Sequence, residues 1–115
     1  MQATRMSENL AVGPQLWPEQ LGELVAAGFR AVICNRPDGE EWGQPAFAEI
    51  AAAAKAAGLE AVYVPAGHSQ MGPRLAAEFA DAVERLPKPV FAYCRSGARS
   101  AALWQIAGAG RPRAA

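Results

Sequence analysis

The sequence predicts an α/β domain built on a mostly parallel sheet, and three observations carry that prediction. Short apolar runs of strand length alternate with segments whose apolar residues recur at helical spacing. Gly and Pro punctuate the junctions between them. The chain has 115 residues, one domain's worth, and 51% of them are apolar, so it holds enough apolar side chain for one core.

The elements follow in order. Leu10-Ala11-Val12 reads as a short strand. Pro18, whose fixed φ suits a first helical turn, opens a helix with Leu21, Leu24 and Val25 on one face, and Gly28 stops it. Ala31–Cys34 reads as a buried strand, followed by the turn-rich segment Asn35 to Glu41. Pro45 opens a second helix carrying Phe47, Ile50, Ala51, Ala54 and Ala57, closed by Gly58. Glu60 to Pro65 contains a third strand, and Ala66 to Gly72 a loop. Leu75, Phe79, Ala82, Val83 and Leu86 then share a helix face. Pro89 to Tyr93 is the last strand, and a helix from about Arg99 to Ala109 closes the fold. The expected core spans about residues 10–109 of a single domain, with the tail Gly110 to Ala115 expected to fray.

Composition excludes several function classes. Eleven basic residues balance eleven acidic ones, which removes the electrostatic reason to expect nucleic acid or an anionic membrane as partner. No apolar run reaches the roughly 18–20 residues of a membrane span. The first ten residues hold no apolar stretch of the kind a secretory signal needs, so the cytoplasm is the expected location. One His and two distant Cys make no recognisable metal site, and no cofactor is implied.

The chemistry concentrates in Val90-Phe91-Ala92-Tyr93-Cys94-Arg95-Ser96-Gly97-Ala98-Arg99-Ser100. An apolar strand delivers a Cys into a short loop that runs into a helix. In an open α/β sheet that position, beyond the strand's carboxyl end, is where ligands bind. Amides from Arg95, Ser96, Gly97, Ala98, Arg99 and Ser100 are expected to converge on one anion, aided by the positive end of the helix. With the Arg99 guanidinium they would lower the Cys94 pKa and free a thiolate nucleophile. Arg99 suits bidentate binding of an oxyanion, and Gly97 lets the backbone turn without an obstructing Cβ. The bland alternative is a buried, inert Cys before a basic helix start.

These residues, with Val32-Ile33-Cys34-Asn35-Arg36-Pro37-Asp38-Gly39-Glu40-Glu41, Pro45-Ala46-Phe47-Ala48-Glu49-Ile50 and Tyr63-Val64-Pro65, carry a resemblance. From about Leu10 to Ile106 the sequence resembles the beta-lactamase-hydrolase-like protein family in its phosphatase-like domain. The resemblance implies a fold of the dual-specificity, cysteine-phosphatase type. It also implies hydrolysis through a phosphocysteine, or sulfur transfer, since members occur alone or fused to sulfur-metabolism enzymes.

Loop length separates the two chemistries. Phosphatases of this type carry Cys-x5-Arg, often with a His before the Cys. Here four residues separate Cys94 from Arg99, and Tyr93 stands before the Cys. That spacing resembles the persulfide-holding loops of rhodanese sulfurtransferases. A phosphatase also needs an acid for the leaving oxygen. Asp38, at a strand end on the expected active-site side, is the candidate, although Pro-Asp-Gly is equally a turn sequence. His68, in a loop without carboxylates, is a second candidate or simply solvated. Ser100 matches the hydroxyl of phosphatase loops that stabilises the departing thiolate, or is an ordinary helix-start Ser. Arg36 points into the site or pairs with Glu40 or Glu41. Cys34 is a buried strand residue or a relay partner of Cys94. Trp17, Trp42 and Trp104 wall a pocket or pack in the core.

The sequence therefore predicts a Cys94-dependent phosphatase-like hydrolase, with Cys94, Arg99 and Asp38 catalytic. A sulfurtransferase carrying a Cys94 persulfide is the alternative, and a non-catalytic anion-binding module the third reading. The expected partner is a small anionic substrate, a phosphate ester or sulfane-sulfur donor, with sulfur-metabolism enzymes implied by the resemblance.

Overall fold

The computed structural model describes residues 2–109, so the expected fraying of Gly110 to Ala115 lies outside the described residues. Five strands form one sheet: β1 (Thr4–Ser7), β2 (Leu10–Gly13), β3 (Ala31–Cys34), β4 (Glu60–Tyr63) and β5 (Val90–Tyr93). Their order is β1-β2-β5-β3-β4, with β1 antiparallel to β2 and every other pairing parallel. The helices are α1 (Leu21–Ala26), α2 (Phe47–Ala57), α3 (Pro73–Arg85) and α4 (Ala98–Ala109).

Two apolar layers flank the sheet, as parallel strands require. Leu10, Val12, Ala31, Ile33, Val90 and Ala92 pack on one side against Ala76, Phe79, Val83 and Leu103 of α3 and α4. The alternate residues Ala11, Val32, Cys34, Phe91 and Tyr93 face Leu21, Leu24, Ile50 and Ala54 of α1 and α2. Every residue of β5 is buried because the strand lies in the middle of the sheet with a layer on each side. Each fully buried Phe or Leu contributes about 1.5–3 kcal/mol to this core. Strand β5 returns between β2 and β3, so its carboxyl end opens where connections diverge to the two faces.

Several expectations change. The sequence reading began the sheet at Leu10, but Thr4–Ser7 adds an antiparallel edge strand. It is half-exposed and polar, so it carries little of the alternation that marks a buried strand. Pro18 opens a short 3-10 turn, Pro18–Gln20, before α1 begins at Leu21. Val25 is 43% exposed rather than on the packed face of α1. A second 3-10 turn, His68–Gln70, interrupts the segment expected as a loop. Among the described residues, no helix is long and apolar enough to cross a membrane.

Candidate active site

Strand β5 ends at Tyr93, and Cys94 begins the turn into α4. The turn is held by the end of β2 and the residues after it: the Cys94 N–H donates to Gly13 O at 3.4 Å and the Gln15 N–H to Arg95 O at 3.2 Å. Gly97 adopts φ 98°, a left-handed conformation that L side chains rarely take, and a Cβ there would lie 3.2 Å from the Gly13 backbone. That conformation aims the Gly97 N–H at Cys94 Sγ, 3.0 Å away. Burial alone raises the thiol's pKa. The amides of Ser100, Arg99, Ser96 and Gly97 outweigh it and bring Cys94 below its ordinary value of 9.0.

Four of the six expected amides thus serve the sulfur. Ala98 departs from the expectation, because its N–H donates to Ser96 Oγ at 3.3 Å. The Arg95 side chain, largely exposed, pairs with Glu41 at 3.4 Å.

Arg99 is buried and clamped by Glu40. Its Nη1 donates to Glu40 Oε2 at 2.7 Å and to Ala66 O at 2.9 Å, and its Nη2 donates to Glu40 Oε1 at 2.9 Å. A guanidinium has five N–H groups, so Nε and one hydrogen of Nη2 remain as a fork. Charge attraction with Cys94 and hydrogen bonding to it tie this arginine to the sulfur. Arg36, 4% exposed, is the second buried guanidinium. It pairs with Glu40 at 3.1 Å and Glu41 at 3.1 Å, and donates to Gln15 Oε1 at 3.0 Å. Arg36 therefore takes both expected carboxylates at once. The Arg99 hydrogen bonds, then the Arg36 ones, hold the Glu40 carboxyl below its ordinary value, and Glu40 in turn raises Arg99.

Glu40 as the partner of Arg99 escaped the sequence reading, which weighed it only against Arg36. Gln15 escaped it altogether. The two glutamates after Pro-Asp-Gly were visible, but nothing local points across 59 residues to Arg99.

Asp38, expected as a catalytic acid, serves structure instead. Its Oδ1 accepts the Phe47 N–H at 2.8 Å, satisfying an orphan donor at the start of α2, while its own N–H donates to Tyr63 Oη at 2.9 Å. Its charge is felt by Cys34 and Tyr93, on the α1/α2 side of the sheet. His68 does reach the site. With Arg95, Ser96, Ala98 and Arg99 it lines a cleft of about 400 Å³ at the mouth of the Cys94 loop. Ser100 is fully buried and its hydroxyl donates to Asn35 Oδ1 at 2.8 Å.

Cys34 is a core residue. Strand alternation turns it into the α1/α2 layer beside Tyr93, whose buried hydroxyl has no hydrogen-bond partner among the described residues, and the Cys34 thiol donates to Arg36 O at 3.3 Å. Burial pushes the Cys34 thiol up to about 11, and both cysteines are free. None of the tryptophans lines the cleft. Trp42 is 99% exposed, Trp17 47% exposed, and Trp104 packs edge-on against Phe79.

Residues 3–111 match the family described as beta-lactamase hydrolase-like protein, phosphatase-like domain. A beta-lactamase hydrolase-like protein of Agrobacterium fabrum is 33% identical over 106 residues, covering 92% of this chain and 25% of the relative. The chain thus spans about a quarter of the length of the curated relatives it matches. Among solved structures, a candidate phosphatase from Neisseria meningitidis superposes with a TM-score of 0.84 at 32% identity, covering 94% of this chain and 78% of the other. The core catalytic domain of a PP-IP phosphatase from S. cerevisiae shares the fold, with a TM-score of 0.61 at 15% identity over 83% of this chain and 56% of that one.

Proposed function

This chain belongs to the beta-lactamase hydrolase-like protein family, in its phosphatase-like domain, and from that membership we propose a cysteine-dependent hydrolase of small phosphate esters. One observation carries the reading: Cys94 Sγ accepts the Gly97 N–H at 3.0 Å in a loop whose amides lower its pKa, beside an arginine whose Nε and remaining Nη2 hydrogen are not taken by Glu40 or Ala66. In the first step the thiolate attacks phosphorus, the S–P bond forms and the ester P–O bond breaks. The developing charge on the phosphoryl oxygens falls on the amides of Ser96, Gly97, Arg99 and Ser100 and on the Arg99 fork. The leaving oxygen needs a proton, and we assign that role to His68, which lines the same cleft. Water then attacks phosphorus, its proton returns to His68, and the S–P electron pair returns to Cys94.

A second reading is favoured by a separate observation. Glu40, the carboxylate bound to Arg99, is held ionised by two guanidiniums and has no proton to give. A persulfide on Cys94 needs an anion cradle but no strong acid. This supports sulfur transfer, as does the four-residue spacing from Cys94 to Arg99.

Intact-mass measurement of reduced wild type and Cys94→Ser separates these readings. Exposure to an aryl phosphate is expected to add one phosphoryl group to Cys94. Addition of one sulfur atom from thiosulfate, reversed by cyanide and absent in the variant, would reverse the ranking. An unchanged turnover rate in Cys94→Ser would overturn both readings, since each makes Cys94 the group that carries the transferred atom.

A further inference from the structure

Asn35 is fully buried at the end of β3 and its groups are committed in four directions. Its backbone N–H donates to Tyr93 O at 2.7 Å, and its carbonyl accepts the Ala66 N–H at 2.8 Å. Its side chain donates from Nδ2 to Val64 O at 2.8 Å and accepts the Ser100 hydroxyl at Oδ1, also 2.8 Å.

The direction of that last bond follows from chemistry. A backbone carbonyl only accepts, so the amide nitrogen must be the atom facing Val64. Turning the side chain over would set two acceptors 2.8 Å apart. The atom facing Ser100 is therefore Oδ1, which also only accepts. A serine hydroxyl has one proton, and here it goes to Asn35. The Ser100 backbone amide, by contrast, acts on Cys94.

We propose that Asn35 is a positioning residue that holds the Ser100 proton away from Cys94, leaving the sulfur to backbone amides and Arg99 alone. The hydroxyl expected from the sequence to stabilise a departing thiolate is thereby withheld. Turning it toward the sulfur would strand Asn35 Oδ1 in a site with no exposure. The assignment rests on Cys94 being the reactive group. It bears on the step in which water bonds to phosphorus, the S–P bond breaks and the electron pair returns to Cys94. That sulfur leaves without a hydroxyl donor, so the covalent intermediate is expected to persist.

The test reads the ionisation of Cys94 from its alkylation by iodoacetamide against pH, which requires no turnover and so does not depend on the substrate class. Ser100→Ala removes the hydroxyl and keeps the amide. Its alkylation midpoint is expected within about 0.3 pH unit of wild type, roughly a twofold change in thiolate at fixed pH. Asn35→Leu removes the acceptor and lets the hydroxyl turn to the sulfur, so its midpoint is expected to fall by about 0.5–1 unit, a roughly three- to tenfold gain in thiolate. The double variant should return to the Ser100→Ala value. A midpoint raised by about one unit in Ser100→Ala would show the proton already on Cys94 and overturn the proposal. So would an Asn35→Leu profile identical to wild type. If Asn35→Leu does not fold, Ser100→Ala decides alone. A normal alkylation profile alongside full turnover in Cys94→Ser would instead remove the hydrolase reading and leave the Asn35 result standing.

Discussion

Glu40 and Arg99 form a two-pronged ion pair, 2.7 and 2.9 Å between their atoms, that fastens the loop after β3 to the helix after β5. The same carboxylate holds Arg36 at 3.1 Å. Two buried guanidiniums thus share one anion.

Glu40→Gln should therefore loosen Arg99 without removing it. One charged contact is exchanged for a neutral one, and charge-assisted hydrogen bonds contribute about 1.5–3 kcal/mol. The expected result is roughly tenfold weaker protection of Cys94 by inorganic phosphate or thiosulfate against alkylation. Arg99→Ala should lose roughly a hundredfold, because the fork itself is gone. Equal protection in all three proteins would remove Arg99 from the anion site.

Acid sensitivity follows from the same pair. The folded-state pKa of Glu40 lies below its ordinary 4.5. Its contribution to stability is therefore complete above about 4.5 and is lost as pH falls through the depressed value. Thermal melts followed by tryptophan fluorescence should show the wild-type midpoint dropping below pH 4.5. In Glu40→Gln part of that drop should be missing, while the plateau near neutrality starts lower.

The two thiols should behave as different reagents. Burial holds Cys34 as a neutral thiol until about pH 11, whereas the loop amides bring Cys94 below 9.0. Iodoacetamide at pH 7 should place one label per chain, at Cys94, and none on Cys94→Ser. Labelling of native Cys34 at a comparable rate would contradict the placement of that residue in the α1/α2 layer.

Gly97→Ala should damage stability and reactivity together. A Cβ meets a φ of 98° and the Gly13 backbone at 3.2 Å. Strain of this kind costs about 1–3 kcal/mol, or a fall in melting temperature of some 4–8 °C per kcal/mol for a chain this size. Rotation of residue 97 also withdraws an amide from Cys94, so the alkylation midpoint should rise.

The α/β class, strands β2 to β5, and the strand-Cys-loop-helix unit were legible because they are local properties. Ala31–Cys34 and Val90–Tyr93 are wholly buried runs bounded by turn residues, and Cys94, Gly97, Arg99 and Ser100 follow one of them directly. Strand β1 escaped because Thr4–Ser7 pairs through its backbone at a half-exposed edge, where side chains leave little pattern.

What the amino-acid sequence determined by itself is the class of fold and the reactive loop, since hydrophobic period and the order of Cys, Gly and Arg are written within a few residues. Only the tertiary structure decided which groups surround that loop. It assigned Glu40 to Arg99, the Ser100 proton to Asn35, Asp38 to the start of α2 and Cys34 to the core. The Glu40 and Asn35 pairs join residues 59 and 65 positions apart. Their hydrogen bonds form only where parallel strands bring separate loops to one edge of the sheet, and no local periodicity encodes that meeting.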